Sequence, residues 1–220
     1  VETIVHNVNS KRTNVILGPN NNIFYGDGTI TDHIKDLRFT LSPHSFFQVN
    51  PEQTTVLYDQ ALAYADLKGD ETVIDAYCGT GTISLFLAHK AKHVIGIEIV
   101  EPAIINAREN ARNNGYDNTE FIVADAAVEM PKLYNAGVRP DVIVFDPIRA
   151  GCKEEVLTSA ASMEPKRIVY VSCNPATMAR DIEILTHYGY ELQEVQPVDM
   201  FPMTAHVEAV ALLTRNNVTQ

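Results

Sequence analysis

The chain has 220 residues, of which 45% are hydrophobic and 20% charged, and these proportions are typical of a soluble globular domain with at most a small appendage. Its formal net charge of −11 argues against tight nucleic-acid binding by this chain alone, because such binding depends on Lys and Arg neutralising phosphates. No apolar run is long enough to cross a bilayer, and no signal-peptide pattern opens the chain.

The three cysteines, Cys78, Cys152 and Cys173, lie far apart and form no C-x-x-C pair. This spacing argues against zinc and disulfide frameworks and is typical of free thiols, so we expect a cytoplasmic protein without a metal in this chain. The sequence opens on Val1 within a strand-like pattern, and we therefore expect it to be a fragment of a longer protein.

Residues 1–49 are predicted to form a small β-rich subdomain. β-branched and aromatic residues predict strands, and Gly, Pro and Asn predict turns. The predicted strands are 3–8, 14–17, 37–41 and 45–49, and the predicted turns are 18–22 and 26–28. Asn50 and Pro51 then suit a helix N-cap and first helical position, with Val56, Leu57 and Leu62 on the apolar face. This helix opens a second domain, predicted over residues 50–220.

From Val73 onward, apolar strand patterns alternate with helical patterns. The predicted strands are 72–76, 93–98, 119–123, 141–146, 167–172, 190–198 and 207–214, and the predicted helices are 82–89, 101–114, 126–135, 153–161 and 175–187. Such alternation indicates parallel βαβ units. We therefore predict an α/β fold with a mostly parallel seven-stranded sheet and helices on both faces.

The stretch that joins the first of these strands to its helix has the chemistry of a nucleotide-like site. Gly79 and Gly81 allow a ligand to approach the backbone, and the next helix begins directly after them. The full G-x-G-x-x-G pattern is absent, and Asp75 disfavours a pyrophosphate, whereas it suits the cationic S-adenosylmethionine. Glu98 ends the next strand, where an acidic residue can bind ribose hydroxyls. The alternative for the glycines alone is a tight turn.

Two further strand ends carry candidate chemistry. Asp146 ends the predicted strand at 141–146 and Arg149 follows it, where the alternative is a simple capped loop. Cys173 ends the strand at 167–172, directly before a helix that Pro175 opens. The helix dipole is expected to lower the pKa of this thiol, so we predict a nucleophile; the alternative is a small buried apolar side chain.

Five segments in this order resemble the RNA (uracil-5-)-methyltransferases that use S-adenosylmethionine. They are Phe47-Gln48-Val49-Asn50, Asp75-Ala76-Tyr77-Cys78-Gly79-Thr80-Gly81, Asp146-Pro147-Ile148-Arg149, Ser172-Cys173-Asn174-Pro175-Ala176-Thr177 and His206-Val207-Glu208. The resemblance covers essentially the whole chain and implies a class I methyltransferase, Rossmann-like fold. One departure is Ile148, which stands where the family usually has a second proline.

The resemblance also implies a role for each candidate residue. Cys173 would attack uracil C6, and Glu208 would be the base that removes the C5 proton; an isolated Glu would otherwise be a surface carboxylate. Arg149 would position the base or a phosphate. The implied cofactor-binding residues are Gln48, Tyr77, Glu98, Asp146 and, at the adenine, Asp125, with Asp146 also able to contact uracil.

The implied partner is structured RNA, with 23S ribosomal RNA favoured over transfer RNA. Family members often carry an upstream basic RNA-binding domain, which would explain the charge of −11, and some carry a 4Fe–4S site, which these residues do not hold. Two alternatives stay open. One is a methyltransferase of small molecules or proteins that does not use Cys173, and the other is a non-catalytic adenosyl- or RNA-binding module.

Overall fold

The computed structural model describes residues 1–12 and 16–216, and its first part consists of two antiparallel hairpins. In the first hairpin, β1 (Ile4–Val8) pairs with β2 (Asn20–Tyr25). In the second, β3 (Ile30–Ile34) pairs with β4 (Leu37–Leu41). The prediction of β structure in this part of the chain is therefore confirmed, but several of its boundaries are wrong.

The wrong boundaries lie in segments where strand formation depends on pairing with another strand. The predicted strand 14–17 lies partly outside the described residues, and residues 16 and 17 are not in a strand. The predicted turn at 18–22 is wrong because Asn20, Asn21 and Asn22 belong to β2 and pair with β1. No strand forms at 45–49, and β3 was not predicted. Asparagine is a poor strand former, so cross-strand pairing at β2 outweighs its intrinsic preference.

Beyond residue 50, helices and strands alternate as predicted. The elements are α1 (Pro51–Ala65), β5 (Thr72–Asp75), α2 (Thr82–Ala88), β6 (His93–Glu98), α3 (Glu101–Asn113), β7 (Thr119–Val123), α4 (Ala126–Asn135), β8 (Val142–Phe145), α5 (Glu154–Ser162), β9 (Arg167–Ser172), α6 (Pro175–His187), β10 (Tyr190–Val198) and β11 (Glu208–Arg215). The seven strands form one sheet in the order β10-β11-β9-β8-β5-β6-β7. β11 is antiparallel to both of its neighbours, and the other pairs are parallel. The predicted α/β class and mostly parallel seven-stranded sheet are confirmed.

Successive strand residues point to opposite sides of the sheet, so the buried strands present apolar side chains on both faces. Helices cover each face. Val73 belongs to the core on one face, together with residues of α1, α2 and α3. Its neighbour Ile74 belongs to the core on the other face, together with residues of α4, α5 and α6. Phe39 of β4 is fully buried in the first of these cores. The division between residues 1–49 and 50–220 stays a prediction.

Helix α1 begins at a capped N-terminus and packs one face on the sheet. Asn50 is the N-cap, and its side-chain oxygen accepts a hydrogen bond from the backbone N–H of Gln53 at 3.2 Å. Leu57 is fully buried, whereas Val56 is 49% exposed, so the predicted apolar face was right at Leu57 and wrong at Val56. No helix among the described residues has the length and apolar character needed to span a membrane.

Substitutions at neighbouring positions of α1 should separate its two faces. Leu57→Ala is expected to lower the free energy of unfolding by about 2–5 kcal/mol, because it leaves a cavity in the core. Val56→Ala, the matched control on the half-exposed face, should lower it by less than about 1 kcal/mol. Urea unfolding followed by circular dichroism measures both values. Equal losses would contradict the burial of Leu57 against the sheet.

Candidate active site

The candidate site lies where the order of the strands reverses. β5 and β8 are neighbours in the sheet, and their connections run to β6 on one side and β9 on the other. In such sheets ligands bind in the crevice outside the carboxyl ends of these strands. Asp75 is the last residue of β5, and Asp146 directly follows β8. Cys173 directly follows β9 at the same edge.

Glu208 reaches this edge from the opposite direction. β11 is antiparallel to β9, and Ala209 pairs with Ser172. The register therefore places Glu208, the first residue of β11, opposite Cys173, which is the residue after Ser172. Glu208 is only 3% exposed, and Cys173 is half-buried. Opposed residues on antiparallel strands project to the same side, so the carboxyl group and the thiol are neighbours.

Arg149 brings a positive charge to the same place. Its Nη2 atom lies 3.4 Å from Nδ1 of His206, two residues before Glu208. Its charge lowers the pKa of both Glu208 and Cys173, in each case against a larger effect of burial. The structure thus brings together four of the predicted site residues, namely Asp146, Arg149, Cys173 and Glu208.

Burial raises the pKa of the acidic groups of this site, and at Asp146 neighbouring carboxylates add to the effect. Burial raises the pKa of the Asp146 carboxyl well above its usual range, and the carboxylates of Glu208 and Asp75 raise it further. Burial likewise raises the pKa of Glu208. A carboxyl group with a raised pKa binds a proton more readily, which is the property that a base accepting a proton from carbon needs.

The expectation of a lowered pKa for Cys173 is wrong. Burial raises the pKa of the thiol, and the carboxylates of Glu208 and Asp146 raise it further. The N-terminus of α6 supplies only about half a positive charge. One of the N–H groups that produce this charge is already paired, because the side chain of the N-cap Asn174 accepts a hydrogen bond from the N–H of Ala176. Arg149 opposes the increase without cancelling it.

The turn after β5 has the features that a polar, cationic cofactor requires. Gly79 and Gly81 have φ values of 53° and 82°, and a Cβ added at Gly79 would meet no atom within 4 Å, so its backbone is open to a ligand. Oδ1 of Asp75 and Oγ1 of Thr80 are buried and have no hydrogen-bond partner among the described residues. Buried polar atoms normally have partners, so these two fit a ligand that supplies them.

The remaining predicted cofactor residues lie on several different elements. Glu98 ends β6, and its Oε1 accepts the N–H of Val100 at 2.8 Å. Tyr77 packs beside the second core, and Gln48 is buried in the segment before α1. Asp125 follows β7, where Oδ1 caps α4 through Ala127 and Oδ2 pairs with Lys153 at 2.7 Å. An adenine contact at Asp125 would therefore have to share an occupied carboxylate, and it stays a prediction.

Tyr58 lies near the candidate site, a position that the sequence pattern does not predict. Its hydroxyl lies 3.1 Å from Oγ1 of Thr82 at the start of α2. Burial raises its pKa, and the carboxylate of Asp146 raises it further, which places this neutral hydroxyl beside the acidic groups. The apolar pattern of α1 gives no signal for it, because the surroundings of its hydroxyl come from other elements. Among the described residues, no three His, Cys, Asp or Glu side chains are grouped so that they could hold a metal ion.

A family model assigns this chain to a known protein family. The family model for tRNA (uracil-5-)-methyltransferases matches residues 22–216. The chain belongs to this family. An uncharacterized RNA methyltransferase of Halalkalibacterium halodurans is 59% identical over 217 residues, which are 99% of this chain and 47% of that protein. One of Clostridium acetobutylicum is 55% identical over 215 residues, or 98% of this chain and 47% of that protein.

Solved structures agree with this family and with the predicted class I methyltransferase fold. The tRNA (uracil-54, C5)-methyltransferase of Pyrococcus abyssi, solved in complex with S-adenosyl-L-homocysteine, has a TM-score of 0.80 and 33% identity. The match covers 97% of this chain and 51% of that one. Trm5b of the same organism has a TM-score of 0.66 at 18% identity, over 91% of this chain and 61% of that one, and shows the fold alone. The chain spans about half the length of the curated relatives it matches.

The buried carboxyl of Asp75 should make the ligand-free chain less stable as the pH rises. Burial raises its pKa to about 6 from an ordinary value of 3.8, so between these values the folded chain holds a proton that the unfolded chain has lost. At pH 8 the ionised carboxylate then costs folding on the order of 2–3 kcal/mol. Asp75→Asn avoids this cost, and its amide oxygen can still accept the hydrogen bond from Ser84. We expect it to raise the free energy of unfolding at pH 8, with about half of that gain at pH 5, which lies between the two pKa values.

Urea unfolding at the two pH values measures this difference. Asp70→Asn, at an exposed position in the loop before β5, is the matched control. Its free energy of unfolding should differ from that of the wild type by the same small amount at both pH values. A loss of stability in Asp75→Asn that is equal at both pH values would contradict the raised pKa.

Proposed function

We propose that this chain is the catalytic part of an S-adenosylmethionine-dependent RNA methyltransferase that methylates C5 of a uridine. The observation that carries the proposal is the placement of Cys173 opposite Glu208 at the ligand-binding edge of the sheet. A thiol and a carboxyl group in contact with one substrate provide both a nucleophile and a proton acceptor. Family membership and the neighbouring Arg149 support the same reaction.

The proposed reaction begins at C6 of the uracil. The Cys173 thiol loses its proton to solvent, its sulfur forms a bond to C6, and the electrons of the C5–C6 double bond move into an enolate, which makes C5 nucleophilic. C5 then accepts a methyl group, which the sulfonium of a bound cofactor would supply; the electrons of the broken S–CH3 bond would stay on that sulfur. Glu208 removes the C5 proton, the double bond forms again, and the sulfur leaves C6. Because its pKa is raised, Glu208 is a stronger base for this proton than an exposed glutamate.

S-adenosylmethionine is the cofactor predicted from the sequence, and the ligand of the Pyrococcus abyssi structure supports it. When bound, it supplies a methyl group on a positively charged sulfur. The glycine turn and the unpaired atoms of Asp75 and Thr80 would hold its polar groups, with Glu98 at the ribose and Gln48, Tyr77 and Asp125 as further proposed contacts. Asp146, which follows β8 between the ends of β5 and β9, would contact the cofactor or the uracil.

The RNA target has two candidates. 23S ribosomal RNA is the target predicted from the sequence. Transfer RNA is the second candidate, supported by the name of the family and by the substrate of the Pyrococcus abyssi enzyme. Since the chain has a charge of −11, we propose that a basic RNA-binding domain in the longer protein supplies much of the affinity for phosphates. A cytoplasmic location is part of the same proposal.

RNA stem-loops that carry 5-fluorouridine test the thiol mechanism. Fluorine at C5 cannot leave as a proton, so the reaction with S-adenosylmethionine should stop at a covalent protein–RNA adduct that survives a denaturing gel. We expect the adduct with wild-type protein and none with Cys173→Ala. Stem-loops taken from 23S ribosomal RNA and from transfer RNA, tested side by side, identify the preferred target.

Cys152→Ala is the matched control, because Cys152 is a buried thiol outside the reacting group, and this variant should still form the adduct. An adduct that persists in Cys173→Ala would overturn the assignment of the nucleophile. If the 220-residue chain binds the cofactor without forming an adduct, the assay is repeated with the full-length protein. Failure there as well would favour a methyltransferase of another substrate class or a non-catalytic module.

Glu208→Gln should separate methyl transfer from proton removal. The amide has almost the same shape but cannot accept the C5 proton, so turnover should fall by about 10²–10⁴-fold. Ordinary uridine RNA should then accumulate as a covalent, C5-methylated adduct, detected on a denaturing gel and by mass spectrometry. Glu191→Gln, on the exposed edge strand β10, is the control and should turn over normally. Rapid turnover by Glu208→Gln would rule out Glu208 as the base.

A further inference from the structure

Side chains of α6 and its N-cap hold the loop that carries Arg149. Nδ2 of Asn174 donates to the backbone oxygen of Arg149 at 3.0 Å. Oγ1 of Thr177 lies 3.2 Å from the same oxygen and 3.0 Å from the backbone oxygen of Asn174, so its one proton is shared between the two acceptors. One turn further along α6, Nη2 of Arg180 donates to the backbone oxygen of Ala150 at 2.9 Å. Residues 174, 177 and 180–181 lie on one face of the helix, since their spacing follows the helical repeat. A single helix face therefore binds successive backbone groups of this loop.

Asp181 completes the contact from inside the protein. Its side chain is fully buried, and Oδ2 accepts the backbone N–H of Cys152 at 2.7 Å and the hydroxyl of Tyr170 at 2.5 Å. Oδ1 accepts hydrogen bonds from Nε and Nη2 of Arg180. A buried carboxylate with this many charge-assisted bonds has a fixed position. It links β9, through Tyr170, to the loop after β8.

The loop lies so close to α6 that it has no room for a side chain at Gly151. A Cβ added there would lie 2.6 Å from Nη2 of Arg180, 2.6 Å from Oδ2 of Asp181 and 3.2 Å from Cβ of Thr177. The φ value of 80° at Gly151 also favours glycine. The close approach and the hydrogen bonds fix the same short segment, residues 149–152.

We propose that Asn174, Thr177, Arg180 and Asp181 form a clamp that positions Arg149 beside Cys173 and Glu208. The clamp residues are positioning residues, because they bind the backbone of the loop and act on the reaction through the Arg149 guanidinium. This inference rests on the proposed function. The reason for such a device is electrostatic: Arg149 opposes the carboxylates that hold Cys173 in its thiol form, and the Arg149 side chain itself is exposed. An exposed cation needs a fixed backbone to keep one position.

Thr177→Val tests the clamp with little change in shape, since valine replaces only the hydroxyl group with a methyl group. We expect the rate of adduct formation with 5-fluorouridine RNA to fall by about 10–100-fold at pH 7.5, the range that a small misplacement of a catalytic group produces. The pH at which this rate is half-maximal should move upward, because the thiol loses the cation that favours its ionised form. Thr177→Ser restores the hydroxyl and should restore both values.

Thr186→Val is the matched control in the same helix. The Thr186 hydroxyl donates to the backbone oxygen of Glu183, as that of Thr177 donates to Asn174, but the Thr186 hydroxyl has no hydrogen bond to the loop. We expect no change in rate or pH profile. An equal loss of rate in Thr186→Val, or an unchanged pH profile in Thr177→Val, would mean that Thr177 serves only the stability of the helix and would overturn the clamp.

A double-mutant cycle tests whether the clamp acts through Arg149. In an Arg149→Ala background, Thr177→Val should cause no further loss of rate, because the group it positions is gone. Independent, multiplicative losses would overturn the proposal.

Hydrogen exchange tests the anchor in the absence of RNA. Asp181→Ala, checked for folding by circular dichroism, should speed exchange at the Cys152 amide, because alanine leaves this amide without its side-chain acceptor. Unchanged exchange there would contradict the anchor. If the clamp is intact by this measure but wild-type protein forms no Cys173-dependent adduct, the failure lies in the proposed function.

Discussion

Three carboxyl groups brought together largely out of water are the constraint on which this site depends. Asp75 ends β5, Asp146 follows β8 and Glu208 begins β11. The order of the strands in the sheet places these three ends close together, so the topology forces like charges together. Their pKa values are all raised, by burial first, and at Asp146 also by the charges of Glu208 and Asp75, so these groups hold protons more readily than exposed carboxyl groups do. A cation entering the site can replace those protons. The fold therefore favours a cofactor with a positive charge and disfavours one with a pyrophosphate.

The same carboxyl groups create a conflict with the nucleophile. A base is improved by a raised pKa, whereas a thiol attacks only as a thiolate and is weakened by one. Glu208 and Cys173 share an environment, so burial cannot favour both. Arg149 and a positively charged cofactor act on the thiol in the favourable direction. Cys173 is thus expected to become reactive only in the assembled complex, which protects a half-buried thiol from reaction in the free protein.

The parts of this protein that could be predicted from sequence are those set by local pattern and by topology. Buried parallel strands such as Val142–Phe145 are apolar along their whole length, and their ends meet at a known edge, so Asp146 and Cys173 could be placed without coordinates. β2 could not be predicted, because Asn20–Asn22 become a strand only through pairing with β1. The pKa of Cys173 and the position of the Tyr58 hydroxyl beside the acidic groups could not be predicted either, because both depend on neighbours from other elements.

The clamp shows why loop rigidity cannot be judged from the loop sequence alone. Ile148 replaces a proline expected in this family, and by local reasoning the loop should lose conformational restriction. In the structure, the restriction comes from outside the loop, through backbone hydrogen bonds to Asn174, Thr177 and Arg180. These bonds do not depend on the side chain at position 148, which is 78% exposed. A residue that projects into solvent from a backbone held on its inner side is free to vary without moving Arg149, so the departure at Ile148 is compatible with an intact site.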